Sequence, residues 1–341
     1  MSSDTVPELY MPAEWERHQC TLMAWPVKEA DWPEPFEEVL DCYRNIVKAI
    51  SEFEPVTLIA KPKLVEQAKS YCGDFAEIVA IDHDDSWLRD SGPTFVYTKN
   101  NELVGIDWVF NAWGNKFPHE KDKLAAREIL SHLDIMSLEL GMIMEGGAIH
   151  VDGEGTLLTT ESCVLNPNRN PFLKPKVEDI FFKYLGAKKV IWLKEGLYGD
   201  DTDGHIDNVA CFIAPGVLML QVCSDPNDPN YLRSKLNKEI LQNSTDANGR
   251  QLKIIEIEGP SAMYYEDKLL TLSYLNFYLV NDGAILPIFG EINCEKDQKA
   301  IEVLQKAMPN RKIVAVNGLA VARQGGNVHC LTQQVPIEKR S

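Results

Sequence analysis

Two hydrophobic rhythms alternate along the chain. Between Phe36 and Phe53 the apolar residues Val39, Leu40, Tyr43, Ile46, Val47 and Ile50 fall on one face of a helix. The same spacing predicts helices over 122–133, 177–185, 231–241 and 297–308. Between them lie short β-like runs. Residues 148–151 and 156–160 flank Asp152-Gly153-Glu154-Gly155 and predict strand, turn, strand. Residues 275–280 and 284–287 flank Asn281-Asp282-Gly283 and repeat that shape with a stronger Asp-Gly turn signal.

A hairpin followed by a helix recurs every roughly 55 to 70 residues, which predicts an α/β protein of several related modules packed around an axis. Loop-like stretches such as Asp225-Pro226-Asn227-Asp228-Pro229-Asn230 are short and embedded, so residues 1–341 are expected to form a single domain. Polar or small-residue clusters lead into the β-like runs. They are Arg17-His18-Gln19-Cys20, Arg89-Asp90-Ser91-Gly92, Glu145-Gly146-Gly147, Gly204-His205-Ile206-Asp207 and Gly325-Gly326-Asn327-Val328-His329-Cys330. A further unit begins near Ser273-Tyr274-Leu275. In a ring of modules, residues at the same place in each would converge on the centre.

Composition narrows the class. Of 341 residues 45% are apolar and 25% charged, the profile of a globular chain with material for a sizeable core. No apolar run approaches the length of a membrane span. The N-terminal Met1-Ser2-Ser3-Asp4-Thr5-Val6-Pro7-Glu8 lacks the basic start and apolar run of a secretory signal, so the expected location is the cytoplasm. The net charge of -17 argues against a nucleic-acid partner, which requires basic stripes. Excess Asp and Glu keep such a chain dissolved and can also gather a cationic substrate.

Cysteines stand at Cys20, Cys42, Cys72, Cys163, Cys211, Cys223, Cys294 and Cys330, with no CxxC and with spacing that suits neither a zinc site nor a disulfide framework. Most are expected to act as small buried apolar residues. Asn243-Ser244-Thr245 matches a glycosylation sequon and, without a signal peptide, is read as a chance match.

From the clusters come three carboxylates, Asp90, Glu145 and Asp207, with His205 and the late Cys330, each near glycine, which lets backbone approach a ligand closely. Cys330, after the Gly325-Gly326 pair, is a candidate nucleophile once its thiol is activated, though any one cysteine among eight is more often a packing residue. Adjacent strand residues face opposite ways, so His329 is expected to point away from the chemistry. His205 and Asp207, two apart, would share one face of a strand, pairing a proton-transfer group with a carboxylate. The same pair can ligate a metal, but no HxH or HExxH partner accompanies it. Asp90 beside Trp87 can bind a planar cation against a π face. Glu145 can orient the histidine.

These stretches also carry a resemblance. Trp87-Leu88-Arg89-Asp90-Ser91-Gly92-Pro93, Glu145-Gly146-Gly147, Asp201-Thr202-Asp203-Gly204-His205-Ile206-Asp207-Asn208 and Gly325-Gly326-Asn327-Val328-His329-Cys330 resemble agmatine deiminases in sequence and order. Met11-Pro12-Ala13-Glu14-Trp15-Glu16 and Trp25-Pro26 resemble that family's N-terminal region, so the similarity covers essentially the whole chain. The family belongs to the guanidine-modifying superfamily. The resemblance implies a five-bladed pseudosymmetric α/β propeller of ββαβ units.

It further implies a hydrolase of linear amidines that converts agmatine to N-carbamoylputrescine and ammonia in putrescine biosynthesis. By resemblance Cys330 is the nucleophile, His205 the general acid and base, and Glu145 its orienting partner, with Asp90 and Asp207 on the guanidinium. The substrate's distal ammonium wants acids or aromatic faces, and Trp87, Asp201, Thr202 and Trp113 are the candidates, Trp113 being equally a core residue. No cofactor or metal is implied. The expected partner is a small cationic guanidino compound, with no nucleic acid or membrane, and a homo-oligomer is expected. Peptidylarginine and arginine deiminases are the neighbouring readings. A metal-dependent ureohydrolase and a catalytically dead binding module are the more distant ones.

Overall fold

The computed structural model describes residues 9–28, 32 and 35–339, so the Met1–Glu8 segment read above lies outside the described residues. Each module is built from the two rhythms. In one, the strand Ile149–Val151 turns back antiparallel into Thr156–Thr160. The helix Lys174–Leu185 then crosses over to the strand Lys189–Leu193, which pairs parallel with Thr156–Thr160. Crossover helices are the usual way to join parallel neighbours. This helix buries Val177, Phe181 and Leu185 and stops at Gly186, whose φ of 67° is the left-handed cap that glycine takes most easily.

The same path recurs. Thr94–Thr98, Leu103–Val109, Asp122–His132 and Met136–Ile143 follow it, as do Ala210–Ala214, Val217–Val222, Asn230–Gln242 and Lys253–Glu258. Tyr278–Val280, Gly283–Ile288, Cys294–Ala307 and Lys312–Asn317 make another copy. The remaining copy is stitched from both ends of the chain. Its first strand, Thr332–Pro336, is the last in sequence and pairs antiparallel with His18–Ala24. The helix Phe36–Ser51 then leads to Val56–Ala60, parallel to His18–Ala24. Among the described residues the sheets are thus five of three or four strands, plus the small hairpin Tyr264–Tyr265 with Lys268–Leu269.

The expected helices all occur, shifted by a few residues at their ends. In Phe36–Ser51 the stripe from Val39 to Ile50 is buried, and Glu37, Glu38 and Lys48 suit the two ends of the helix dipole. Other expectations need correction. The strand expected over 275–280 is regular only over Tyr278–Val280. Ahead of it the backbone is engaged elsewhere: Tyr274 N donates to Gln221 Oε1, Leu275 N to Ser273 Oγ, and Asn276 O accepts from His329 N. The helix Val65–Cys72 was not expected. It buries only Ala68 and Cys72, too narrow a face to show as a period.

A short turn precedes the first strand of the modules. Single-turn helices occupy Leu88–Ser91 ahead of Thr94, Gly146–Ala148 ahead of Ile149, Ile206–Asn208 ahead of Ala210 and Val328–Leu331 ahead of Thr332. In the module of Tyr278 the irregular 273–277 segment takes that place. These turns, more than the strands, carry the polar residues singled out by sequence.

Candidate functional site

The turns meet. Asp90, Glu145, His205, Asp207 and Cys330, one or two from each of four turns, are all buried to within a few per cent of full enclosure. Gly147 marks their centre. A Cβ built there would lie 2.5 Å from His205 Nδ1 and 3.0 Å from both Asp207 Oδ2 and Asp90 Oδ1, so glycine leaves room for the three side chains to converge. Its N–H donates to Asp90 Oδ1 at 2.9 Å.

Two sequence expectations are corrected here. His205 and Asp207 do not share a strand face; His205 caps a one-turn 3-10 helix that includes Asp207. His329 does not point away. It sits with Cys330 on the turn Val328–Leu331, and its Nδ1 lies 2.9 Å from Asp207 Oδ2. A helical turn spreads consecutive side chains by about 100° rather than 180°, so both reach the same interior.

His205 lies between two acids, Nδ1 3.7 Å from Asp90 Oδ2 and Nε2 3.8 Å from Glu145 Oε2. These are ion-pair distances, and neither ring nitrogen has a hydrogen-bond partner. Burial opposes its charge, but the Asp90 carboxylate and then Cys163 and Glu145 hold its pKa well above the ordinary imidazole value. Glu145 is pinned from behind by Arg169, whose Nε donates at 2.6 Å with both side chains about 1% exposed. Against the cost of burial, His205 and Arg169 keep Glu145 below the usual carboxylate range. Burial also pushes Asp90 up, with His205 opposing and Asp207 and Glu145 adding to the rise.

Cys330 Sγ accepts from Asn276 Nδ2 at 3.1 Å and lies 3.5 Å from Asp207 Oδ2. Burial drives its thiol well above the ordinary cysteine value, and the charges of Asp207 and Asp90 drive it further. A cation placed against those carboxylates would reverse that effect.

Cys330 and Asp90 open onto a cleft whose walls include Trp87, Trp113, Phe117, Asp201, Thr202, Asn208 and Gly325-Gly326. Glu145, His205 and Asp207 are buried beside it. Trp87 stacks on Trp32 at 5.4 Å and presses against Gly326, where a Cβ would lie 2.4 Å from its ring. Trp113 is both core and cleft wall: 7% exposed, it donates Nε1–H to Asp90 Oδ2 at 2.9 Å. Its φ of 55° and that of Ala112, 48°, are left-handed and strained for such residues, which is the geometry that aims the indole.

Asp201 and Thr202 belong to a loop tied down by cations. Lys116 Nζ donates to Asp201 O at 2.6 Å and to Asp203 Oδ1 at 2.9 Å, Arg169 Nη2 to Thr202 O at 2.9 Å, and Lys268 to the Asp201 carboxylate. Thr202 Oγ1 accepts from His205 N at 3.1 Å and so shapes the turn under the imidazole.

The structure thus brings together every residue expected at the chemistry or the cleft. Sequence reasoning missed Asn276, Arg169, Cys163 and the facing of His329, whereas Gly147 lay within a cluster it had singled out. For Asn276 a signal existed, since it occupies the turn position in the one module that had supplied no candidate. Glu145, Cys163 and His205 bring an oxygen, a sulfur and a nitrogen to within 4.8 Å of one another, a donor set that zinc accepts. The Arg169 guanidinium on the same carboxylate places a competing cation there.

No helix among the described residues is long and apolar enough to cross a membrane. The family model for Porphyromonas-type peptidyl-arginine deiminases matches residues 10–336. An agmatine deiminase of Pseudomonas aeruginosa is 39% identical, with 97% of this chain and 96% of that protein covered. Among solved structures, an agmatine deiminase of Enterococcus faecalis superposes with a TM-score of 0.92 at 35% identity over 97% of each chain. A substrate-bound cysteine-to-serine variant of a C. jejuni agmatine deiminase superposes with a TM-score of 0.89 at 33% identity, again over 97% of each chain.

Proposed function

The chain belongs to the Porphyromonas-type peptidyl-arginine deiminase family, and within it we propose that the protein is an agmatine deiminase that hydrolyses agmatine to N-carbamoylputrescine and ammonia. One observation carries the chemistry: His205, Asp90 and Asp207 converge at Gly147, with Glu145 on the other side of the His205 ring and the Cys330 sulfur 3.5 Å from Asp207, beside a cleft walled by indoles.

A guanidinium is planar and delocalised, so its carbon resists attack. Asp90 and Asp207 hold its N–H groups by charge-assisted hydrogen bonds and set its plane across the line of approach of Cys330. The arriving cation offsets the two carboxylates that keep the thiol protonated, so the thiol releases its proton to solvent through the cleft as substrate binds and attacks as thiolate. Sulfur adds to the carbon, and His205, held as imidazolium beside Asp90 and Glu145, gives a proton to the departing ammonia. The neutral imidazole then takes a proton from water as that water attacks the thiouronium carbon. Breaking the C–S bond releases the urea product and returns the thiolate. Asn276, donating to the sulfur, steadies the nucleophile in both steps.

The distal end favours agmatine over arginine. Trp87, Trp113, Asp201 and Thr202 offer π faces and oxygens, which suit an ammonium and repel a carboxylate. We further propose that the chain is one catalytic domain whose five modules surround the site as blades of a propeller. The matching turn ahead of each first strand supports that arrangement. A cytoplasmic homo-oligomer supplying putrescine synthesis is the accompanying proposal.

The test is ammonia release from agmatine, arginine and a peptidyl-arginine analogue, with wild type and Cys330→Ala side by side. Turnover of agmatine alone, abolished by the substitution, is expected. Turnover that survives it would overturn the covalent route. Preference for arginine or the peptide would move the protein to a sibling activity in the same family.

A further inference from the structure

The motif Met11-Pro12-Ala13-Glu14-Trp15-Glu16 has no part in the chemistry above, yet Glu14 is 6% exposed and lies deep beside the site. Its Oε2 is 2.8 Å from His329 Nε2, and the opposite nitrogen of that ring, Nδ1, is 2.9 Å from Asp207 Oδ2. We propose that His329 is a positioning residue, an imidazolium clamped between Glu14 and Asp207 that holds Asp207 ionised and presents its second oxygen to the guanidinium. This rests on the reading of Asp207 as a guanidinium-binding carboxylate.

The geometry requires the charge. A neutral imidazole carries one N–H and one lone pair, and the lone pair would then face a carboxylate oxygen at hydrogen-bond distance. Two carboxylates on two ring nitrogens are satisfied together only when both nitrogens donate. Glu14 cannot swing away to relieve this, because its other oxygen, Oε1, accepts from Leu279 N at 3.0 Å.

The groups facing His329 complete the balance. Arg89 donates Nε–H to His329 O at 3.2 Å and is the other buried cation. His150 stacks on the His329 ring at 6.4 Å. Its Nδ1 accepts from Phe212 N, which leaves it the neutral tautomer with Nε2–H directed toward Glu14 Oε2 at 3.8 Å. Burial lowers the His150 pKa to about 4, in keeping with that form. Glu14 and Asp207 are thus the acids in direct contact with the His329 ring and Arg89 the neighbouring cation, while His205 and Asp90 face Asp207 from the other side.

Asp207 Oδ2 is taken by His329, whereas Oδ1 is buried with no hydrogen-bond partner. A buried carboxylate oxygen left without a hydrogen bond is costly unless a ligand completes it. Removing the His329 charge takes away the one cation hydrogen-bonded to both Glu14 and Asp207. A proton then returns to the pair, and Asp207 loses part of its hold on the substrate.

Two measurements test this, one of them independent of turnover. In ¹⁵N-histidine spectra, the resonances lost in His329→Gln should report both ring nitrogens protonated at neutral pH. A singly protonated His329 ring would overturn the proposal, whatever the enzyme acts on. In agmatine kinetics, His329→Gln should raise KM about tenfold and change kcat less, since a charge-assisted contact is weakened rather than a reacting group removed. The acid limb of its kcat/KM profile should move to higher pH, because Asp207 now takes up its proton more readily. Glu14→Gln serves if His329→Gln does not fold: without that carboxylate on Nε2 the His329 ring should lose its second proton at lower pH in the same spectra, and an unmoved titration would overturn the clamp. A uniform fall in kcat with the limb unmoved would overturn the proposal. Failure of wild type on agmatine would instead overturn the substrate reading and leave the spectroscopic result standing.

Discussion

The sulfur of Cys330 lies 3.5 Å from Oδ2 of Asp207, so the proposed nucleophile and a buried carboxylate stand side by side. With burial, that proximity favours the thiol over the thiolate in the unliganded protein. Alkylation of Cys330 by iodoacetamide, followed by mass spectrometry, should therefore accelerate only at a pH beyond the range in which ordinary cysteines ionise. In Asp207→Asn the acceleration should set in at lower pH. A Cys330 already half-reactive as thiolate near pH 7 would contradict this and the substrate-assisted step with it.

Gly147→Ala places a methyl 2.5 Å from His205 Nδ1 and 3.0 Å from Asp90 and Asp207. Something must shift, and what shifts is the catalytic geometry. A loss of about 100-fold in kcat/KM is expected, in line with small displacements of positioned groups, while far-UV circular dichroism stays that of wild type. Near-normal activity would mean that the convergence of these groups is not used.

Arg169→Met removes the cation that answers Glu145 when both are about 1% exposed. Stranding a buried carboxylate costs about 3–5 kcal/mol, which urea unfolding should register. The Glu145→Gln/Arg169→Met double variant should recover part of that stability but not the activity. Equal stability of the single and double variants would show that the pair is not coupled.

Lys268 occupies the Asp201 carboxylate, and the two side chains are 49% and 42% exposed. Such a pair contributes less than about 1 kcal/mol to stability, so Lys268→Ala should leave Tm nearly unchanged. It should free Asp201 for the substrate's ammonium and lower KM for agmatine about two- to fivefold, within the worth of a partly exposed pair. A raised KM would mean that Lys268 holds Asp201 in its working position.

Phe36–Ser51 was legible because it buries one face, and burial writes a period into the sequence. The pair Ile149–Val151 with Thr156–Thr160 is buried throughout and was readable instead from two short β-like runs around a Gly-rich turn. The site was legible only as clusters. Its residues stand on single turns, too short to show any period, so reading 205–207 and 329–330 as strand gave the wrong facing for His329. Arg169 comes from the irregular stretch between Glu161–Val164 and Lys174–Leu185, and its partners Glu145 and Asp203 are distant in sequence. Nothing local distinguishes it from a surface arginine. Asn276 differs: one amide inside the run Tyr274-Leu275-Asn276-Phe277 is a polar atom that a buried segment must satisfy, and the modular pattern says where.

The seam between Thr332–Pro336 and His18–Ala24 joins the two ends of the described chain beside the proposed catalytic turn. Glu14 and His329 meet across 315 positions of chain, and the nucleophile stands on the segment that joins last. Closing so long a loop costs little more stability than a short one but delays contact formation. A chain emerging from the ribosome would hold most of its modules while lacking any reactive centre. In partial denaturation, too, the opening of one strand pair would extinguish turnover while most of the secondary structure persists. Turnover is therefore a more sensitive gauge of this molecule's integrity than its circular dichroism.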